Sequence, residues 1–106
     1  MAGAGKGRPA LVRLDLNSPE FQAQFFALER TTLAQVVDVL ERLRKMAWID
    51  VYRSPGLKWE KIGRTAPNGE PLYSLRITQK VRAVGFREGD YLRLVSLHPD
   101  HDSAYD

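Results

Sequence analysis

Apolar residues recur with a period of two near the start of the chain, in the segment ALVRLDL at positions 10–16. Val12, Leu14 and Leu16 occupy alternate positions there. Successive side chains of a β-strand point to opposite faces, so this segment is predicted to be a strand with one apolar face. We expect residues 1–9 to be a flexible lead-in and residues 10–106 to form a single domain.

Two helices are predicted after this strand. Ser18 is placed to cap the first, and Pro19 occupies its first turn, where the missing N–H costs nothing. Thr32 and Gln35 have the spacing of a capping box for the second. The apolar positions of the second helix share one face: Leu33, Val36, Val37, Leu40, Leu43 and Ala47. Because almost no linker separates the two helices, they are expected to form an antiparallel pair that packs on a sheet.

The second half of the chain is predicted to supply that sheet. Turn signals separate segments rich in aromatic and β-branched residues. The predicted strands are 57–62, 71–78, 81–87 and 90–97, and residues 49–52 stay unassigned. The sequence therefore indicates an α+β fold with a strand, a two-helix hairpin and an antiparallel sheet of three to four strands.

Composition narrows the class of protein. The chain of 106 residues is 43% hydrophobic and 27% charged, as in a small globular domain. It has no apolar run long enough to cross a bilayer and no apolar core of a signal peptide. We therefore expect a cytoplasmic protein without a membrane partner. The absence of cysteine excludes disulfides and a cysteine nucleophile, and with only two histidines we expect no metal or other cofactor.

Positive charge is concentrated in the middle of the chain. Residues 42–93 contain twelve Lys or Arg and five Asp or Glu, a net charge of +7, whereas the segments before and after carry −1 and −3. Such a concentration is typical of a surface that faces a polyanion. The alternative is an ordinary solvated surface with an uneven count.

Common catalytic motifs are missing. The sequence contains no phosphate-binding loop after a strand, no H-E-x-x-H and no G-x-S-x-G. The remaining arginine, lysine, histidine, tyrosine and carboxylate side chains suit RNA cleavage without a metal. In that reaction a base removes the proton of a ribose 2′-OH, a cation stabilises the phosphorane, and an acid protonates the departing 5′-oxygen.

Arg76 and Arg82 are the first candidate catalytic residues. They flank the tight connection at 79–80 between two predicted strands, so they can approach one polar face if the register permits. There they would hold the scissile phosphate through planar guanidinium groups. Alternatively, they are exposed sheet residues, or Arg82 forms an ion pair with Glu60.

His98, His101 and Tyr105 follow the last predicted strand, where the chain can fold over the polar face. Histidine is the natural acid or base near neutral pH, and a tyrosine can stack on a base or supply a proton. The alternatives are a solvated turn for the histidines and a packed end for Tyr105. Trp48 and Trp59 are expected to pack in the core or at the sheet edge rather than on bases.

Four further basic residues are candidates for binding RNA along a groove, although a solvated strand face fits them equally well. They are Lys58, Lys61, Arg64 and Lys80.

The segments LKWEKI, PLYSLRIT and VRAVGFREGDYLRLVSLH resemble the C-terminal half of the RelE/ParE superfamily of bacterial toxin–antitoxin toxins, and are most similar to its RelE-like and HigB-like branches. The superfamily signature is a strand that starts with tyrosine and ends in arginine, then a turn and a strand with an early arginine. Residues 73–77 and 81–83 stand in those places.

This resemblance implies a RelE-like fold with a curved antiparallel sheet and the activity of an mRNA interferase, an endoribonuclease that inhibits translation, free or on the ribosome. It also implies a cognate antitoxin as partner. Arg76 and Arg82 correspond to the phosphate-binding arginines, and the tail histidines and Tyr105 to the acid and base. The acidic tail leaves open which histidine acts. Because ParE-like relatives inhibit gyrase, a gyrase inhibitor, a catalytically silent antitoxin-binding regulator and a plain nucleic-acid-binding module remain alternatives.

Overall fold

The structure, a computed structural model, describes residues 9–99. His101, Tyr105 and the predicted lead-in up to residue 8 lie outside the described residues. The elements, in chain order, are β1 (Arg13–Asp15), α1 (Pro19–Phe26), α2 (Arg30–Leu43), α3 (Trp48–Arg53), β2 (Glu60–Thr65), β3 (Pro71–Arg76), β4 (Arg82–Glu88) and β5 (Tyr91–His98).

The strands form one mixed sheet of five, in the order β1-β5-β4-β3-β2. Strands β2 to β5 are an antiparallel meander, and β1 joins the edge of β5 in parallel. The predicted α+β fold is therefore confirmed. Strand β2 begins three residues later than predicted, because Lys58 has a left-handed backbone conformation (φ 48°) that a strand does not accommodate.

The starts of the helices differ in how well local sequence predicts them. Ser18 caps α1 as predicted, since its Oγ accepts a hydrogen bond from the Phe21 N–H at 3.2 Å. The predicted capping box at Thr32 is wrong, because α2 already begins at Arg30 and Thr32 lies within its first turn. Residues 49–52, for which the sequence pattern predicts no element, belong to the short helix α3. None of the helices within residues 9–99 combines the length and the apolar character that crossing a membrane requires.

The main core lies between the helices and one face of the sheet. Its buried side chains include Val36 and Leu43 of α2 and Trp48 of α3. A smaller apolar cluster lies on the opposite face of the sheet and consists of Ile62, Ala66, Leu72, Val84 and Phe86. That second face is therefore apolar in part.

Gly85 lies at an irregularity in the β4–β5 pairing, where the two backbones approach closely. A Cβ at this position would overlap the Arg93 carbonyl oxygen. We expect Gly85→Ala to lower the free energy of unfolding by roughly 1–3 kcal/mol, because the backbones must separate. Urea denaturation measures the change. Gly63→Ala in β2 is the matched control, since a Cβ added there would meet no heavy atom within 4 Å apart from those of the adjacent residues, and equal losses would contradict the expectation.

Candidate functional site

Three side chains line up across three neighbouring strands. Arg76 of β3 lies opposite Arg82 of β4, and Arg82 lies opposite His98 of β5. Residues directly opposite each other in an antiparallel ladder project from the same face of the sheet. The register thus brings together Arg76, Arg82 and His98, which we call the basic row.

The basic row faces away from the helices. The adjacent row contains Leu75, Ala83 and Leu97, all of which are buried in the main core. Neighbouring residues along a strand point to opposite faces. The basic row therefore occupies the face that the helices leave uncovered.

The two arginines of the basic row have different environments. Arg82 is only 5% exposed, and its Nη1 donates a hydrogen bond to the Thr78 carbonyl oxygen at 3.3 Å. Arg82 thus ties the β3–β4 turn to the sheet. The Arg76 side chain is half-buried, and its Nε is the one buried side-chain donor without a partner within residues 9–99. An unpaired buried donor costs about 1–3 kcal/mol, which an anion bound at Arg76 would recover.

A second row of polar residues lies beside the basic row on the same face. Ser74 of β3 and Ser96 of β5 both lie opposite Val84 of β4, and both are buried. The Ser96 Oγ is 2.8 Å from the His98 Nε2. Glu60 of β2 lies opposite Ser74 and brings a carboxylate to this face.

Glu60 is the site residue that sequence reasoning missed, since it was considered only as an ion-pair partner of Arg82. The segment WEKI does not reveal which face Glu60 occupies, because that depends on its register with β3. The structure places Glu60 and His98 on strands at opposite sides of Arg76 and Arg82, separated by three strand spacings, or roughly 14 Å of sheet.

The four predicted RNA-binding residues do not form one group. Lys58 follows Leu57, whose carbonyl oxygen accepts a hydrogen bond from the Arg76 N–H at 2.6 Å. Lys80 lies in the turn that precedes Arg82. Lys58 is therefore close to Arg76 through the backbone hydrogen bond of its neighbour Leu57, and Lys80 is close to Arg82 along the chain.

The other two predicted RNA-binding residues, Lys61 and Arg64, lie on β2. Lys61 lies opposite Tyr73, the neighbour of Ser74, so its side chain projects from the other face. Arg64 is exposed and lies within the irregular stretch of the β2–β3 pairing, between Lys61 and Thr65. Their roles in binding RNA stay predictions.

At the end of this face that is far from the β3–β4 turn, the charge of Arg93 is compensated by two carboxylates. The Arg93 guanidinium donates hydrogen bonds to the carboxylates of Glu88 and Asp15. The hydrogen bond to Glu88, and after it the one to Asp15, holds the pKa of Arg93 above its ordinary value. Because two carboxylates compensate Arg93, the positive charge available to an anion lies at the end of the face with the basic row.

The predicted packing roles of the two tryptophans are confirmed. Trp48 is buried in the main core, and Trp59 stacks on Tyr73 at the sheet edge with 4.7 Å between ring centroids. Within residues 9–99, no three or more His, Asp or Glu side chains are grouped as metal ligands would be.

The sequence matches no family model and no curated protein. Solved structures do resemble the fold. One is a YoeB dimer from Staphylococcus aureus, with a TM-score of 0.52 and 18% identity over 86% of this chain and 97% of that chain. Another is a copper-bound mutant toxin from Helicobacter pylori, with a TM-score of 0.47 and 17% identity over 89% of this chain and 97% of that chain. The chain therefore has a RelE/YoeB-like fold.

Proposed function

We propose that this protein is the toxin of a toxin–antitoxin pair and acts as a metal-independent endoribonuclease that cuts mRNA on the ribosome. The RelE/YoeB-like fold and the sequence signature at residues 73–83 support the toxin role. The observation that carries the nuclease activity is the basic row, in which Arg76 projects from the face that the helices leave uncovered and its buried Nε has no hydrogen-bond partner within residues 9–99.

The arrangement fits cleavage at a phosphate held by Arg76. A phosphodiester bound there lies between Glu60 and His98, which are carried by strands on opposite sides of it. The Glu60 carboxylate is then the base that removes the 2′-OH proton, and His98 is the acid that protonates the 5′-oxygen. The Arg76 guanidinium stabilises the charge of the phosphorane. Arg82 supports this arrangement by holding the turn that follows β3.

The remaining predicted residues have supporting roles in this proposal. Lys58 and Lys80 attract the RNA backbone next to the basic row. His101 and Tyr105, on the segment after β5, assist proton transfer or stack on a base. A cognate antitoxin protein neutralises the toxin in the cell.

Growth and RNA cleavage test the proposal together. Expression of the wild-type protein without its antitoxin is expected to arrest growth and to create new mRNA 5′ ends. Arg76→Ala is expected to abolish the arrest and to slow cleavage by roughly 10²- to 10³-fold, because it removes the charge that stabilises the transition state. Primer extension and a cleavage assay on ribosome-bound mRNA measure both effects.

Arg44→Ala is the matched control, because it removes one exposed positive charge next to α2, away from the basic row. It should arrest growth like the wild type. Growth arrest with intact mRNA would instead indicate a gyrase inhibitor. Neither arrest nor cleavage would favour a silent regulator that binds an antitoxin.

A further inference from the structure

The backbone on either side of Ser96 is anchored by helix α1. The Ser18 Oγ donates a hydrogen bond to the Val95 carbonyl oxygen at 2.7 Å. The Leu97 N–H donates to the Gln24 Oε1 at 2.7 Å. Strand β1 pairs with β5 only at residues 91–93, so these side chains of Ser18 and Gln24 satisfy backbone groups that β1 does not reach. Ser96 therefore sits on a fixed stretch of backbone.

The Ser96 hydroxyl is directed at the imidazole of His98. Ser96 and His98 are two positions apart in β5 and share a face, and the residue Ser96 is only 2% exposed. The distance of 2.8 Å between Ser96 Oγ and His98 Nε2 is that of a good hydrogen bond. A buried hydroxyl with this contact restricts rotation of the ring.

A hydroxyl suits a partner that gains and loses a proton. Within residues 9–99, the His98 Nε2 is the one hydrogen-bond partner of the Ser96 Oγ, so the buried hydroxyl proton is bonded only when Ser96 donates it. Donation favours the neutral tautomer that carries its proton on Nδ1, and the hydroxyl accepts from the Nε2–H when the imidazole is charged. The bond between Ser96 and His98 can therefore persist in both protonation states, with only the hydroxyl proton turning. In the two rows of this face nearest His98, the charged groups are Arg82, Arg76 and Glu60, and Arg93 with its two carboxylates lies at the far end.

We propose that Ser96 is a positioning residue, whose hydroxyl fixes the orientation and the tautomer of the His98 imidazole. The importance of this contact for catalysis rests on the proposed nuclease function. The contact itself does not rest on that function, because the tautomer of the His98 imidazole can be measured in the protein without RNA. Sequence alone assigns no role to Ser96, since its relation to His98 depends on the strand conformation of residues 96–98.

The test is the ¹⁵N NMR spectrum of the histidine ring, assigned by comparison with His98→Gln. In the wild type, neutral His98 is expected to populate one dominant tautomer, with widely separated ring ¹⁵N shifts. In Ser96→Ala the two shifts should move toward each other as both tautomers become populated. Ser74→Ala removes the other buried serine of the same row and should leave the His98 shifts unchanged. Ser96→Thr keeps a hydroxyl and should restore the wild-type spectrum.

Cleavage kinetics add a second measurement. Loss of one hydrogen bond of about 0.5–1.5 kcal/mol corresponds to a decrease of roughly 2- to 10-fold in the cleavage rate of Ser96→Ala. Unchanged ring shifts in Ser96→Ala would overturn the proposal. Equal tautomer populations in the wild type would also overturn it, and that measurement requires no substitution. If the wild type cleaves no RNA, the proposed function fails while the spectra still decide the role of Ser96.

Discussion

His98→Gln is expected to lower the rate of RNA cleavage by roughly 10²- to 10⁴-fold, the usual contribution of a general acid or base. Glutamine keeps a polar side chain of similar reach but exchanges no proton near neutral pH. The fold should survive, because His98 is half-buried at the end of β5 and outside both apolar clusters. Single-turnover cleavage of an mRNA fragment on ribosomes measures the effect, and circular dichroism checks the fold.

The second histidine provides the comparison for this experiment. His101→Gln should retain at least about a third of the wild-type rate if His98 is the acid. The opposite pattern, with a large loss in His101→Gln and little in His98→Gln, would transfer the role to His101. A bell-shaped pH dependence of the wild-type rate is expected from one acid and one base, and the limb that reports the acid should disappear in His98→Gln.

Trp48→Ala is expected to have the largest effect on stability, a loss of about 3–5 kcal/mol in the free energy of unfolding. Trp48 is 2% exposed and joins α3 to the sheet. Its Nε1 donates to the Asp90 carbonyl oxygen at 2.9 Å, and the Arg87 guanidinium lies 4.6 Å from its ring centroid. The substitution removes a large buried side chain and leaves that carbonyl without its indole partner. Since a domain of this size is stable by only about 5–15 kcal/mol, the loss is a large part of the total.

Ile49→Ala is the matched control for Trp48, because the two residues are neighbours on α3 and Ile49 is 47% exposed. It should cost less than about 1 kcal/mol. Urea denaturation followed by far-UV circular dichroism compares the two variants. Similar losses would mean that α3 as a whole, rather than the buried indole, determines stability.

Local signals in the sequence predict the parts of the fold that depend on neighbouring residues. Ser18 and Pro19 mark the start of α1 because capping involves atoms within one turn. Helix α3 was missed since six residues give too short a stretch for helical periodicity. The start of β2 was misplaced because nothing in the segment LKWEKI indicates the left-handed conformation of Lys58.

The candidate site depends on the register between strands that are distant in sequence. Alternation along β3 predicts the face of Arg76, but the position of Glu60 requires the pairing of β2 with β3. The same limit applies to Arg82. Its spacing predicted a residue that grips phosphate, whereas its burial and its bond to Thr78 indicate a residue that also supports the turn.

The parallel pairing of β1 with β5 has a consequence for synthesis of the chain. Residues 13–15, which leave the ribosome early, find their partners only at residues 91–93, and His98 follows at the end of that strand. Contacts so distant in sequence form late in folding. A nascent polypeptide therefore lacks the complete constellation of Glu60, Arg76 and His98 until nearly all of the described residues have been translated, and the active site of the proposed nuclease is absent from the chain until then.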